Sequence, residues 1–200
     1  MSVFRPRLLG SVVLAVLATG CPPSIPPGDQ PLGVYAMNAN EGELGACELS
    51  EVNTNDFGFE ATLTRESTSS RAWVTLVGYS REGTFDGQYF SSTGEANRIF
   101  AACSECKTRL VETLTVAMLS RSQSDAVGGQ CPPNALDGGV PLPNDAGVTG
   151  PQETAQGFDA VRLCGELTTV VVADGLPDGG ACEAKCSGCP VRYQLRGERR

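Results

Sequence analysis

Histidine is absent from the 200 residues. The commonest general base, the commonest metal ligand and the side chain that titrates near neutral pH are therefore all missing. Ser-His-Asp and Cys-His mechanisms are excluded, as is any zinc site built on imidazole. Lysine is scarce as well. Only Lys107 and Lys185 occur, and arginine supplies the rest of the 15 basic residues, against 23 acidic ones. Formal net charge is −8, and it falls to −10 once residues 1–20, which hold Arg5 and Arg7 and no acid, are set aside. Nucleic-acid binding rests on Lys and Arg neutralising phosphate, so no nucleic-acid partner is expected. The basic cluster Arg192, Arg196, Arg199 and Arg200 reads as a solvated strand end. Beyond the leader no apolar run reaches the roughly 20 residues that cross a membrane as a helix. No long amphipathic helix and no internal repeat can be discerned.

What is present starts at the N-terminus. Arg5 and Arg7 precede the apolar run Leu8 to Thr19, and small residues follow it. That is the layout of a secretory signal, expected over residues 1–20. The run ends in Leu17-Ala18-Thr19-Gly20-Cys21, which resembles the lipobox of bacterial lipoproteins. The resemblance covers these residues alone and names no family for the rest of the chain. It implies that the Cys21 thiol receives a diacylglyceryl group, that the leader is cut just before it, and that the new amino terminus is acylated. The family favours Leu three places before the cysteine, where this chain has Ala18, with Leu17 one place earlier. An anchor of two or more acyl chains holds stably at a membrane, whereas one chain holds only marginally. Asp after the cysteine would resemble an inner-membrane retention signal; Pro22 stands there, so the outer membrane is expected rather than the inner. Five prolines lie between Pro22 and Pro31. They favour an extended spacer of about 3.1 Å per residue, and residues 21–32 are read as a tether.

Nine cysteines make an odd count. Giving Cys21 to the lipid leaves Cys47, Cys103, Cys106, Cys131, Cys164, Cys182, Cys186 and Cys189, an even set that an oxidising compartment would close into disulfides. Their connectivity is not readable from sequence. The clusters "CSEC" (Cys103, Cys106) and "CEAKCSGC" (Cys182, Cys186, Cys189) contain the C-x-x-C spacing of a zinc knuckle. They are too far apart for a compact zinc ribbon, so disulfides are expected and no metal or other cofactor. A thiol-exchange role would call for a βαβ setting, which the neighbourhood does not offer.

Period-2 alternation dominates the remainder. "FGFEATLTRE", "RLVETLTVAMLS", "AVRLCGELTTVVVA" and "VRYQLR" read as strands, the last with Val191, Tyr193 and Leu195 inward. "AWVTLVGYS" alternates Trp73, Val77 and Tyr79 against Val74 and Leu76. Asp86-Gly87 supplies a hairpin turn, and "GVYAM" near residue 34 reads as an edge strand. Ser92 to Glu95 matches a capping box, leaving room for one short helix before Cys103. The expectation is an all-β domain over residues 33–200, an antiparallel sandwich or small barrel with disulfide-stapled loops. Residues 120–158 form a long polar loop pinned by Cys131; Asp137, Asn144 and Asp145 are too few to hold calcium.

No residue set identifies a reaction. A catalyst without histidine could use carboxylates, but Glu60, Glu82 and Asp86 are isolated acids on or beside strands. The expectation is a non-enzymatic, lipid-anchored envelope protein with a binding or structural role. Its contacts would be the membrane through the anchor, and an envelope protein or glycan through the 120–158 loop or a free sheet edge. The alternatives are a barrel that binds a small ligand inside, and a carboxylate-dependent hydrolase.

Overall fold

A computed structural model describes residues 26–40, 55–76, 79–141, 148–155, 157–180, 182 and 186–200. Cys21, Cys47, Val77, Asn144, Asp145 and Lys185 lie outside the described residues.

The strands are β1 (Gln30–Asn40), β2 (Phe57–Arg65), β3 (Arg71–Leu76), β4 (Tyr79–Phe85), β5 (Tyr89–Asn97), β6 (Lys107–Leu119), β9 (Arg162–Gly175) and β10 (Cys189–Arg199), with the two-residue β7 (Glu153–Thr154) and β8 (Gly157–Phe158) between β6 and β9. The eight long strands form one closed antiparallel barrel in the order β1-β10-β9-β6-β5-β4-β3-β2. Apart from the β7–β8 excursion, each strand pairs with its successor, and β1 pairs with β10 to close the ring. The domain is thus all-β, as its alternation implies, and the barrel is the form taken. "GVYAM" is not an edge. It lies between β2 and β10, so the closed wall offers no end strand for pairing with another chain.

One apolar face of each strand turns inward, and the inward residues form a single core that includes Leu63, Val74, Phe85, Phe90, Val116, Leu163, Val191, Tyr193 and Leu195. In β1 the register shifts between Pro31 and Gly33, which re-phases the alternation. Leu32 and Tyr35 are both fully buried as a result. Gly33, at φ +141°, lies against the Tyr35 ring, and a Cβ there would come within 2.9 Å of it. Strand β1 begins at Gln30, so Pro31 and Leu32 belong to the barrel wall and not to the tether.

The hairpin at Asp86-Gly87 forms. Gly87 has φ +105°, and the Asp86 carboxylate accepts from the backbone N–H groups of Gln88 (2.9 Å) and Tyr89 (2.7 Å). "AWVTLVGYS" is two strands, since Leu76 pairs with Tyr79 across a reversal. Trp73 points outward, while Ala72 and Val74 are buried.

The short helix for which the capping box at Ser92 left room does not form. β5 runs through to Asn97, because Ser92 pairs with Gly83 on one side and Leu114 on the other. Long-range ladder pairing outweighs a local cap. Only a short 3-10 turn, Ala101–Cys103, follows. A capping box does operate elsewhere: Ser120 and Gln123 exchange side chain-to-backbone hydrogen bonds of 3.1 and 3.2 Å at the start of α1 (Arg121–Ala126).

That helix opens the long 120–158 segment, which is not a solvated excursion in its described part. Ala135 and Val140 pack with Ala117, Leu119 and Cys164 on the outer face of β6 and β9, forming a second apolar cluster outside the barrel. The segment is attached there by the Cys131–Cys164 disulfide.

Candidate functional site

The two barrel ends differ. At the end where β1 starts, Phe158 from β8 plugs the lumen, edge-on to Phe85 with ring centroids 5.3 Å apart. The Arg65 guanidinium lies over both rings, and Arg199 Nη1 donates to the carbonyls of Phe158 and Ala160. Tyr35 sits behind this plug, its hydroxyl donating to the carbonyl of Leu32 at 3.2 Å or of Ala160 at 3.4 Å. Burial pushes its pKa well above that of a free tyrosine. This end is sealed.

The opposite end is built from Asn40, Phe57, Leu76, Tyr79, Asn97, Lys107, Gly175 and Cys189. Part of it is covered by a disulfide cap. Cys103 is bonded to Cys186 and Cys106 to Cys182, joining the β5–β6 connection to the segment that leads into β10. Phe100, Cys103, Cys106, Val171, Cys186 and Cys189 form its apolar interior. The "CSEC" and "CEAKCSGC" clusters are therefore consumed by oxidation. Cys189 is disulfide-bonded as well, so all seven described cysteines are oxidised. Among the described residues no group of three or more His, Cys, Asp or Glu side chains is placed to hold a metal ion.

Beside the cap the inner face becomes polar. Arg81 on β4 and Glu112 on β6 both occupy the inward-facing register, and their side chains form an ion pair that reaches across β5. Arg81 also lies 5.3 Å from the ring centroid of Tyr79, which is 49% exposed. The inward apolar residues at this end, Phe57, Phe59, Leu76 and Leu167, pack against the core but stay partly open to solvent. Sequence reading missed the Arg81–Glu112 pair. The one signal available was a charge at an otherwise apolar period in each strand, which becomes meaningful only once β4 and β6 are known to share a lumen.

A second concavity lies on the outer wall. The stapled segment around Pro132 and Asn134 overhangs the outward side chains of β9 and β10, enclosing a groove of about 590 Å³ rimmed by Glu166, Arg192 and Gln194. The basic cluster noted in the sequence is internally engaged here and at the sealed end. Arg192 pairs with Glu166 at 3.5 Å, Arg196 with Glu198 at 3.2 Å and Arg200 with Glu60 at 2.7 Å. The three acids considered for hydrolysis are not brought together. Glu60 binds Arg200, Glu82 binds Arg71 on the outer surface, and Asp86 organises its turn. Hydrogen bonding from Arg71 lowers the Glu82 pKa, which suits a permanent carboxylate and not a proton donor. Asp137 is exposed in the stapled segment. No protein-family model, curated protein or solved structure matches this chain.

Proposed function

We propose that this is an exported protein, held in the cell envelope by a lipid on Cys21, whose barrel has a non-catalytic binding or structural role. The observation that carries the reading is the cysteine balance. Six described cysteines pair among themselves and Cys189 is disulfide-bonded too, so of the nine in the sequence only Cys21 and Cys47 are left. A lipid on Cys21 assigns that bond to Cys47 and leaves no free thiol. A fully oxidised set fits an exported chain.

The geometry adds a direction. Strand β1 leaves the anchor region from the sealed end of the barrel. Cys21 to Asp29 spans at most about 30 Å when extended. The plugged end thus faces the membrane, expected to be the outer one, and the partly open end faces away from it.

The closed wall shifts the balance between the binding modes. With no end strand in the barrel, strand addition loses its natural site, and two concave surfaces are better suited to binding. The 590 Å³ outer groove suits an envelope protein or a glycan. The partly open lumen suits a small ligand, a reading favoured by barrel mouths being common ligand sites.

The test is membrane fractionation of the native protein and of Cys21→Ser, with mass analysis of the mature N-terminus. The expected result is an acylated first cysteine and release of the variant into the soluble fraction. An intact leader, or a variant that stays fully membrane-bound, would overturn the anchor. Crosslinking in intact cells would then identify what the outward end touches.

A further inference from the structure

Among the described residues two buried side-chain polar atoms have no hydrogen-bond partner, Ser92 Oγ and Arg162 Nε. The second belongs to a guanidinium that already binds the Gly129 carbonyl and Glu198. Ser92 has no such explanation. It is only 4% exposed, it lies on the inner face of β5, and its hydroxyl pairs with nothing. Buried polar atoms of this kind are uncommon enough to need a reason.

Its position offers one. β4 and β5 share just three register pairs, Gly83↔Ser92, Thr84↔Ser91 and Phe85↔Phe90. Beyond Ser92 the ladder stops, although β4 continues back to Tyr79 on its β3 side and β5 continues to Asn97 on its β6 side. The wall therefore parts at the outward-facing end, and Ser92 stands at the fork.

Across the fork lies Arg81. Its Nη2 donates to Glu112 and, at 3.5 Å, to the Tyr79 hydroxyl, while Nε and Nη1 have no hydrogen-bond acceptor among the described residues. The guanidinium lies directly over Gly94, where an added Cβ would be 2.7 Å from Arg81 Nε. Glycine at this position leaves the side chain room to span the gap. Leu76, on β3, provides a partly exposed apolar floor next to it.

We propose that this fork binds a small amphiphile with an anionic head. A carboxylate or sulfonate is held by the uncommitted Arg81 donors and by Ser92 Oγ–H, and the apolar body lies against Leu76 and the inward aromatic residues of β2. Glu112 fixes the guanidinium in place without occupying all of its donors. Arginine suits this task because its planar fork can serve two acceptors at once. The inference rests on the reading of the protein as a binding module, but it does not require the anchor.

The probe is 1-anilinonaphthalene-8-sulfonate, titrated without detergent into the full exported chain carrying Cys21→Ser, with dodecanoate and dodecanol as competitors. Expected are saturation at one probe per barrel and displacement by dodecanoate at least tenfold better than by dodecanol, the size of effect a charge-assisted hydrogen bond provides. The paired substitution Arg81→Gln with Glu112→Gln leaves no unpaired carboxylate and should abolish that preference. Gly94→Leu, which displaces the guanidinium, should weaken the probe about tenfold. Far-UV circular dichroism and melting confirm that each variant keeps its barrel, and the head-group preference of the unsubstituted chain stands as a test if one does not. Saturable binding with no head-group preference, or a preference that survives the paired substitution, overturns the site while leaving a binding role intact. Absence of saturable binding by a natively melting barrel overturns the lumen site altogether. A protein partner found by crosslinking would remain unaffected by that result.

Discussion

The guanidinium of Arg65 lies 5.0 Å from the ring centroid of Phe158, although the two residues are far apart in sequence and on different strands. Arg65 also covers Phe85, so one cation sits over both rings of the edge-on pair that plugs the barrel. With its side chain only 17% exposed, this cation is largely removed from competing water.

The plug should therefore respond in two steps. Arg65→Met keeps an apolar stem and removes the charge, and should cost about 1 kcal/mol, the value of a partly desolvated cation–π contact. Phe158→Ala empties a buried aromatic site and should cost about 3–5 kcal/mol. Urea denaturation measures both through a lowered midpoint at unchanged m-value. A neutral Phe158→Ala would mean that the sealed end contributes little to stability.

Tyr35 gives the barrel an alkaline limit. Its pKa is raised in the folded state by burial. Its contribution to stability is fully present below the tyrosine's unfolded pKa of about 10. Above that pH the unfolded chain releases a proton that the folded chain retains, so stability falls as pH rises, by at most about 1.4 kcal/mol per pH unit from this group. The loss continues until the folded hydroxyl ionises. Tyrosinate absorbance should show Tyr35 ionising only with unfolding, a step absent from Tyr35→Phe. Tyr35→Phe should remove that steep alkaline component, and an unchanged profile would assign it to another group.

The Cys131–Cys164 bridge closes a loop of sequence separation 33. In the chain-entropy view this is worth roughly 3 to 4 kcal/mol. Replacing both cysteines with alanine should lower the melting temperature and expose residues around Ala135 to hydrogen exchange and proteolysis, while far-UV circular dichroism keeps the barrel signal. Loss of that signal would show the outer staple to be essential to the barrel itself.

Peptide mapping of the unreduced protein should recover Cys103–Cys186, Cys106–Cys182 and Cys131–Cys164. The lipid reading adds Cys47–Cys189 and an absence of free thiol. A Cys21–Cys189 linkage would contradict the anchor directly.

Local order was legible in the residues. The alternation of Val191, Tyr193 and Leu195 and the Asp86-Gly87 turn rely on neighbours two to four positions away, and both appear in the barrel as read. The capping-box pattern at Ser92 was legible too, but misleading, because a residue with two strand partners has a better alternative than a helix end. The Ser120 box succeeded where no ladder competed. The Arg81–Glu112 pair was hidden. Each is a lone charge at an otherwise apolar period of its strand, which gains meaning only once β4 and β6 share a lumen.

The sequence by itself determined the strand content, the absence of imidazole chemistry, the odd cysteine and the lipobox-like pattern that ends at Cys21, because period, composition and parity are properties of residues close in the chain or simply counted. Only the tertiary structure decided that the sheet closes, that Tyr35 meets Arg199, which cysteines join, and that one barrel end is plugged while the other parts beside Ser92. Those outcomes depend on the stagger of eight strands around a ring, a long-range geometric condition that alternating side chains permit but do not specify.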